Sequence, residues 1–173
     1  MNKKFFFFDI DGTLTDRNTG KIVPSAALAL QKLRDAGHFV ALATGRAQYK
    51  ARPFFEANGF DNMVCSGGNG IVMDKKIIEN IPLDFDQARA LYDEVLAAGY
   101  GALVAEDDSK KVYTRNFDFY DQVGGRREPT TYIIDEAYDP GKRGVIYKMY
   151  LSVPEGEENR LPILKKMGWL RFE

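Results

Sequence analysis

Four consecutive phenylalanines, Phe5–Phe8, run straight into Asp9-Ile10-Asp11-Gly12. This junction constrains the fold more than any other segment. A short aromatic run bounded by a turn signal fits a fully buried strand of a parallel sheet. It is too short for a signal peptide or a membrane span. The strand, read as residues 4–9, ends at Asp9, a second carboxylate follows two positions on at Asp11, and the chain must turn at Gly12.

Past Gly12, helix and strand alternate. Pro24-Ser25 opens a helix over Ala26–Ala36 with Ser25 as N-cap, and Gly37 sits at its C′ position. Phe39–Ala43 reads as a second buried strand, 47–58 as a helix closed by Gly59, and Met63–Cys65 as a third strand. This β-α-β-α-β order predicts right-handed crossovers and a parallel sheet. Gly67-Gly68-Asn69-Gly70 is a turn, and a hairpin is expected around Asp74-Lys75-Lys76.

Pro82 marks a boundary, so the expected domains are 1–81 and 82–173. Beyond it the pattern becomes α+β. A helix is expected over Asp84–Ala98, strands at 103–105 and 111–114 around a turn, and a charged loop at 124–130. An alternating strand over Val145–Val153 would put Val145, Tyr147, Met149, Leu151 and Val153 on one face and Lys148 and Ser152 on the other. A helix over 157–167 and a strand at 169–172 end the chain. The fold class is α/β: a parallel core followed by an α+β unit.

Charge narrows the ligand. The net charge is -1 overall, +3 up to Ile81 and -4 from Pro82. Neither half has the basic excess of a nucleic-acid binder, so an anionic ligand must be held by a local site. A single cysteine, Cys65, excludes an internal disulfide and reads as a small buried hydrophobe; His38 reads as a surface or capping residue. With no membrane segment recognised, the default reading is a cytosolic protein.

In an open parallel sheet, ligands bind beyond the carboxyl ends of the strands. Asp9, Thr44 and Ser66 each come directly after a strand and should face one crevice. Two carboxylates there would repel a phosphate unless a hard cation such as magnesium neutralised them. A carboxylate can attack phosphorus, and a second can protonate the leaving oxygen and later activate water. The Thr44 hydroxyl and backbone N–H groups at Ile10–Gly12 and Gly45 can donate to phosphoryl oxygens.

These residues carry a resemblance. Asp9-Ile10-Asp11-Gly12-Thr13-Leu14 matches the first motif of the haloacid dehalogenase superfamily, and Thr44-Gly45-Arg46 is similar to its second. Thr15-Asp16, Ala43–Arg46 and Ser66–Gly70 before a hairpin resemble its Cof-type branch. The resemblance implies a magnesium-dependent phosphatase of small phosphate monoesters, sugar phosphates or phosphorylated cofactors. Asp9 would be nucleophile and metal ligand, and Asp11 the acid/base, with its backbone carbonyl a metal ligand. Ile10, Gly12, Thr44 and Gly45 would hold phosphate, with Arg46 and Asn69 near the substrate. The resemblance also implies a Rossmann-like core, incomplete on its C-terminal side, with the α+β unit inserted as a cap domain that would set specificity.

Other readings stay open. A phosphomutase or phosphotransferase could use the same aspartyl-phosphate. A calcium loop counted from Asp9 would need glutamate at the twelfth position, which is Gly20. Thr44 could simply cap a helix, and Gly67–Gly70 could be only the turn that enters a hairpin. The family pattern also asks for a later lysine and a Gly-Asp segment, and the sequence has no Gly-Asp dipeptide. The expectation is therefore a fragment or truncated product that by itself is a poor catalyst; the alternative to the phosphatase is a catalytically incompetent chain that binds phosphate ligands or a partner. The edge left on the first strand would favour pairing with a second copy.

Overall fold

The computed structural model describes residues 2–126 and 129–167. The chain divides into two compact units, Met1–Ile81 and Pro82–Glu173.

The first unit holds β1 (Phe5–Phe8), α1 (Pro24–Asp35), β2 (Phe39–Ala43), α2 (Gln48–Ala57), β3 (Met63–Cys65), β4 (Gly70–Met73) and β5 (Lys76–Asn80). Its sheet runs β1-β2-β3-β4-β5, with β1, β2 and β3 parallel and the last two strands antiparallel. Non-glycine residues Asp74 and Lys75 adopt positive φ of 48° and 64° at the β4–β5 turn. Consecutive left-handed residues give the twist that a two-residue hairpin needs.

Both helices cover one sheet face. Leu30 of α1 and Ala51 and Phe55 of α2 share a core with Val40, Leu42, Met63, Cys65 and Val72, and Phe8 packs against it. Burying Leu30 or Leu42 contributes about 1.5–3 kcal/mol each. The other face explains why β1 is not the buried strand its sequence suggests. Phe5 and Phe7 are 65% and 54% exposed. Their ring contacts are with Phe39, at 5.2 and 5.9 Å. Among the described residues β1 pairs with β2 alone, so it is an edge strand.

Ser25 is not the N-cap of α1. Pro24 occupies the first helical position and Val23 precedes it. Proline suits that position because its fixed φ is helical and no partner is needed for an N–H.

The second unit holds α3 (Phe85–Ala97), β6 (Ala102–Ala105), β7 (Lys111–Thr114), α4 (Asp118–Val123), β8 (Thr131–Ile134), β9 (Lys148–Leu151) and α5 (Pro162–Met167). The sheet order is β8-β7-β6-β9. β6 pairs antiparallel with β7 and β9, but β7 and β8 are parallel, their connection containing α4, so the sheet is mixed. Asp84 caps α3 by accepting from the Gln87 N–H at 2.9 Å. Leu91, Tyr92 and Val95 of α3 pack with Ile146, Leu161 and Leu164.

Two expectations are revised in this unit. The strand expected over Val145–Val153 is confined to Lys148–Leu151, and Ser152 beyond it is buried, its hydroxyl accepting from the Gly101 N–H at 2.7 Å. The helix expected over 157–167 breaks into a short turn at Glu158–Arg160 and α5. Pro162 disfavours helical backbone at the residue before it, and Leu161 sits at φ -119°, ψ 89°. Glu94 then accepts the Ile163 N–H at 3.1 Å, satisfying the start of α5. The strand expected at 169–172 lies outside the described residues.

Candidate active site

Register puts the polar residues on one rim. Phe8 aligns with Leu42, and Ala43 with Val64, in parallel ladders. Asp9, Thr44 and Ser66 therefore leave the same end of adjacent strands, which lie about 4.8 Å apart.

The first loop is a single wide turn, Ile10–Leu14. The N–H and hydroxyl of Thr15 both donate to the Ile10 carbonyl, at 3.1 and 2.8 Å. Thr15 is buried, so these bonds pin the loop from below while Asp9 and Asp11 stay exposed. Gly12 adopts φ +76°, a left-handed conformation that a side chain would strain.

The second loop joins the first through Arg46. Its Nε donates to Asp11 Oδ2 at 2.8 Å and its Nη2 to Asp11 Oδ1 at 2.5 Å. A planar guanidinium thus engages both carboxylate oxygens. Thr44 is buried, and its hydroxyl oxygen accepts the Arg46 N–H at 3.1 Å. That bond shapes the loop but does not start α2, whose N-cap is Ala47, so Thr44 is not the helix cap. Gly45 is exposed at the apex.

The third loop is tied to the second by main chain. Ser66 N–H donates to the Arg46 carbonyl at 2.7 Å and Gly67 N–H to the Thr44 carbonyl at 3.4 Å. Asn69 is half-buried and bonded through its backbone, to Ser66 and Ile81. Side-chain and main-chain bonds thus link Asp9–Gly12 with Thr44–Arg46 and Thr44–Arg46 with Ser66–Gly67, while no hydrogen bond among the described residues joins Asn69 to Asp9, Asp11 or Thr44.

Arg17 is a residue to which neither motif points. It lies on a tight hairpin closed by Thr15–Ile22 pairing, the Asp16 N–H to Lys21 carbonyl bond at 3.0 Å, and Gly20 N–H to Asp16 carbonyl at 2.8 Å. A Cβ placed on Gly12 would lie 2.8 Å from Arg17 Nε. The guanidinium therefore rests against the bare face of Gly12. The neighbouring acid is already committed. Asp16 Oδ1 accepts the N–H groups of Asn18 and Thr19, at 3.0 and 2.9 Å. Those bonds, Thr19 foremost, hold its pKa below the usual carboxylate value. A cation three residues past the first motif is the sequence signal that could have drawn attention to it.

The donor set suits magnesium better than a metal that needs an all-protein cage. Among the described residues no group of three His, Cys, Asp or Glu side chains could hold an ion. The exposed carboxylate of Asp9, with the backbone carbonyl of Asp11, would supply one or two ligands, which is what magnesium takes when substrate phosphate and water complete its shell.

The family model for haloacid dehalogenase-like hydrolases matches residues 6–160. The chain belongs to the haloacid dehalogenase-like hydrolase family. The Cof-type likeness of its motifs is borne out with it. YkrA of Bacillus subtilis (strain 168), provisionally named a phosphatase, is 27% identical over 175 residues, spanning 99% of this chain and 66% of YkrA. The pyridoxal phosphate phosphatase YbhA of Escherichia coli (strain K12) is 28% identical over 113 residues, spanning 63% of this chain and 41% of YbhA. The match thus covers less than two thirds of either relative. Among solved structures, the phosphatase BT1666 from Bacteroides thetaiotaomicron superposes with TM-score 0.71 at 22% identity, over 95% of this chain and 61% of its own. That likeness speaks to fold: a Rossmann-like core with a cap, as the sequence suggested.

Proposed function

We propose that this member of the haloacid dehalogenase-like hydrolase family is a magnesium-dependent phosphatase of small phosphate monoesters. The observation that carries this reading is the shared rim. Parallel register brings the Asp9–Gly12 and Thr44–Arg46 loops to one end of the sheet, and the Arg46–Asp11 fork joins them. Phosphoryl transfer asks mainly for positioned charge and donors, and this rim offers both.

Asp9 attacks phosphorus and carries the phosphoryl group as an aspartyl-phosphate. Asp11 donates a proton to the leaving alcohol and then takes one from the attacking water. The backbone N–H groups of Ile10–Gly12 and Gly45, with the Thr44 hydroxyl, hold the phosphoryl oxygens. Arg46 passes from Asp11 to the bound anion, which frees the Asp11 carboxyl group for its two proton transfers. Asp9 and Asp11 would hold magnesium, which supplies charge neutralisation when bound. The units Met1–Ile81 and Pro82–Glu173 serve as catalytic core and cap. Phosphorylated cofactors and sugar phosphates are the substrate class, and the pyridoxal phosphate phosphatase YbhA supports the former.

One observation favours a second reading. Both Asp11 oxygens are engaged by Arg46, and the described residues show no third acid beside the pair. A chain that binds phosphate without turning it over would look the same. A phosphate-release screen across small phosphomonoesters, with and without magnesium, separates the two. Release that requires magnesium supports the phosphatase, whereas phosphate binding without release supports the second reading.

A further inference from the structure

We infer that Arg17 recognises a second anionic group, a carboxylate or further phosphate, on the alcohol portion of the substrate. This deepens the phosphatase reading and rests on the same site.

Three observations converge on Arg17. First, its guanidinium lies against Gly12, within the loop that carries Asp9 and Asp11. A Cβ at Gly12 would approach Nε to 2.8 Å, Nη2 to 3.3 Å and Cζ to 3.5 Å. The missing side chain at residue 12 thus leaves a shelf for a flat cation. Second, among the described residues Arg17 forms no ion pair or hydrogen bond with the protein. Two of the neighbouring carboxylates have other partners. Asp16 Oδ1 closes its own turn, and both oxygens of Asp11 belong to Arg46. Third, the hairpin that carries it is held. The hairpin is pinned by Asp16–Lys21 and Gly20–Asp16 main-chain bonds and by the Val23 N–H to Leu14 carbonyl bond at 3.0 Å.

A guanidinium is always charged and matches a carboxylate or phosphate with two parallel donors. The phosphoryl group that Asp9 attacks is already served by loop N–H groups and Thr44. Arg17 stands beside Gly12, next to the loop that carries Asp9 and Asp11. Its pairing there discriminates between substrates and leaves the phosphoryl contacts to the loop.

The test compares two probes that differ in one group, glycerol 3-phosphate and 3-phosphoglycerate, on the full chain and on Arg17→Gln and Arg17→Lys. Phosphate release and calorimetric binding are both measured with magnesium. The expected result is a preference for 3-phosphoglycerate of about tenfold or more, from a charge-assisted bond. Arg17→Gln should collapse that ratio toward one through KM. Arg17→Lys should keep part of it, since charge remains and the fork is lost. No preference in the unaltered chain overturns the inference. So does an Arg17→Gln effect that is equal on both probes, which would mean a contact with the transferred phosphoryl or a structural role. Binding discrimination without release would uphold Arg17 and sink the hydrolase reading. Release without discrimination would do the reverse, and binding of neither probe would sink both.

Discussion

Asp11 and Arg46 sit 35 positions apart and meet as a two-pronged ion pair. Asp11 is 60% exposed, so the pair adds little to stability and its interest lies in function. A second residue makes the opposite case. Tyr92 is fully buried, and its hydroxyl has no hydrogen-bond partner among the described residues. Burying an unpaired hydroxyl costs about 1–3 kcal/mol. Tyr92→Phe is therefore expected to raise the stability of the second unit by about 1 kcal/mol. Urea denaturation checks this, and a lower midpoint would show that the hydroxyl has a partner in solution.

Among the elements, α1 ties the sheet to its covered face through Leu30, which is 2% exposed. Leu30→Ala should cost about 2–5 kcal/mol by cavity formation, measured as a shift in denaturation midpoint. The uncovered face and open edge of β1 predict association. Sedimentation velocity should show a concentration-dependent second species, and Phe7→Lys should diminish it because charge on an edge strand opposes pairing. A sole monomer at all concentrations would contradict this. The elements legible in sequence are those with a strong local signal. Phe39–Ala43, the glycine-closed helices and the 74–75 turn all carry one. β1 misled because four aromatics say "apolar surface" without saying whether a neighbour covers it. β8 and α4 were missed because Thr131–Ile134 and Asp118–Val123 are short, and only tertiary packing defines them. At the site, the motif residues could be read directly. Arg17 could not, because its placement depends on a hairpin closing over Gly12.

At the scale of the whole chain, the two units should respond differently to alkali. Burial, and then the bond to Glu106, raises the pKa of the Tyr138 hydroxyl, and burial raises that of Tyr92. Both lie in the second unit. A phenol with a raised folded pKa contributes stability that is complete below its unfolded value and is lost as pH rises past it. The second unit should therefore begin to lose stability above about pH 10. Amide dispersion in Pro82–Glu173 should fade before that in the first unit, and simultaneous loss would contradict the assignment. The central claim rests on the first unit, where Asp9 is the proposed nucleophile. The direct test is magnesium-dependent phosphate release by the unaltered chain and by Asp9→Asn, with folding of both confirmed by circular dichroism. The account predicts release by the first and a loss of about a thousandfold or more in the second, the scale expected when a nucleophile is removed. Release by Asp9→Asn at the unaltered rate would contradict it.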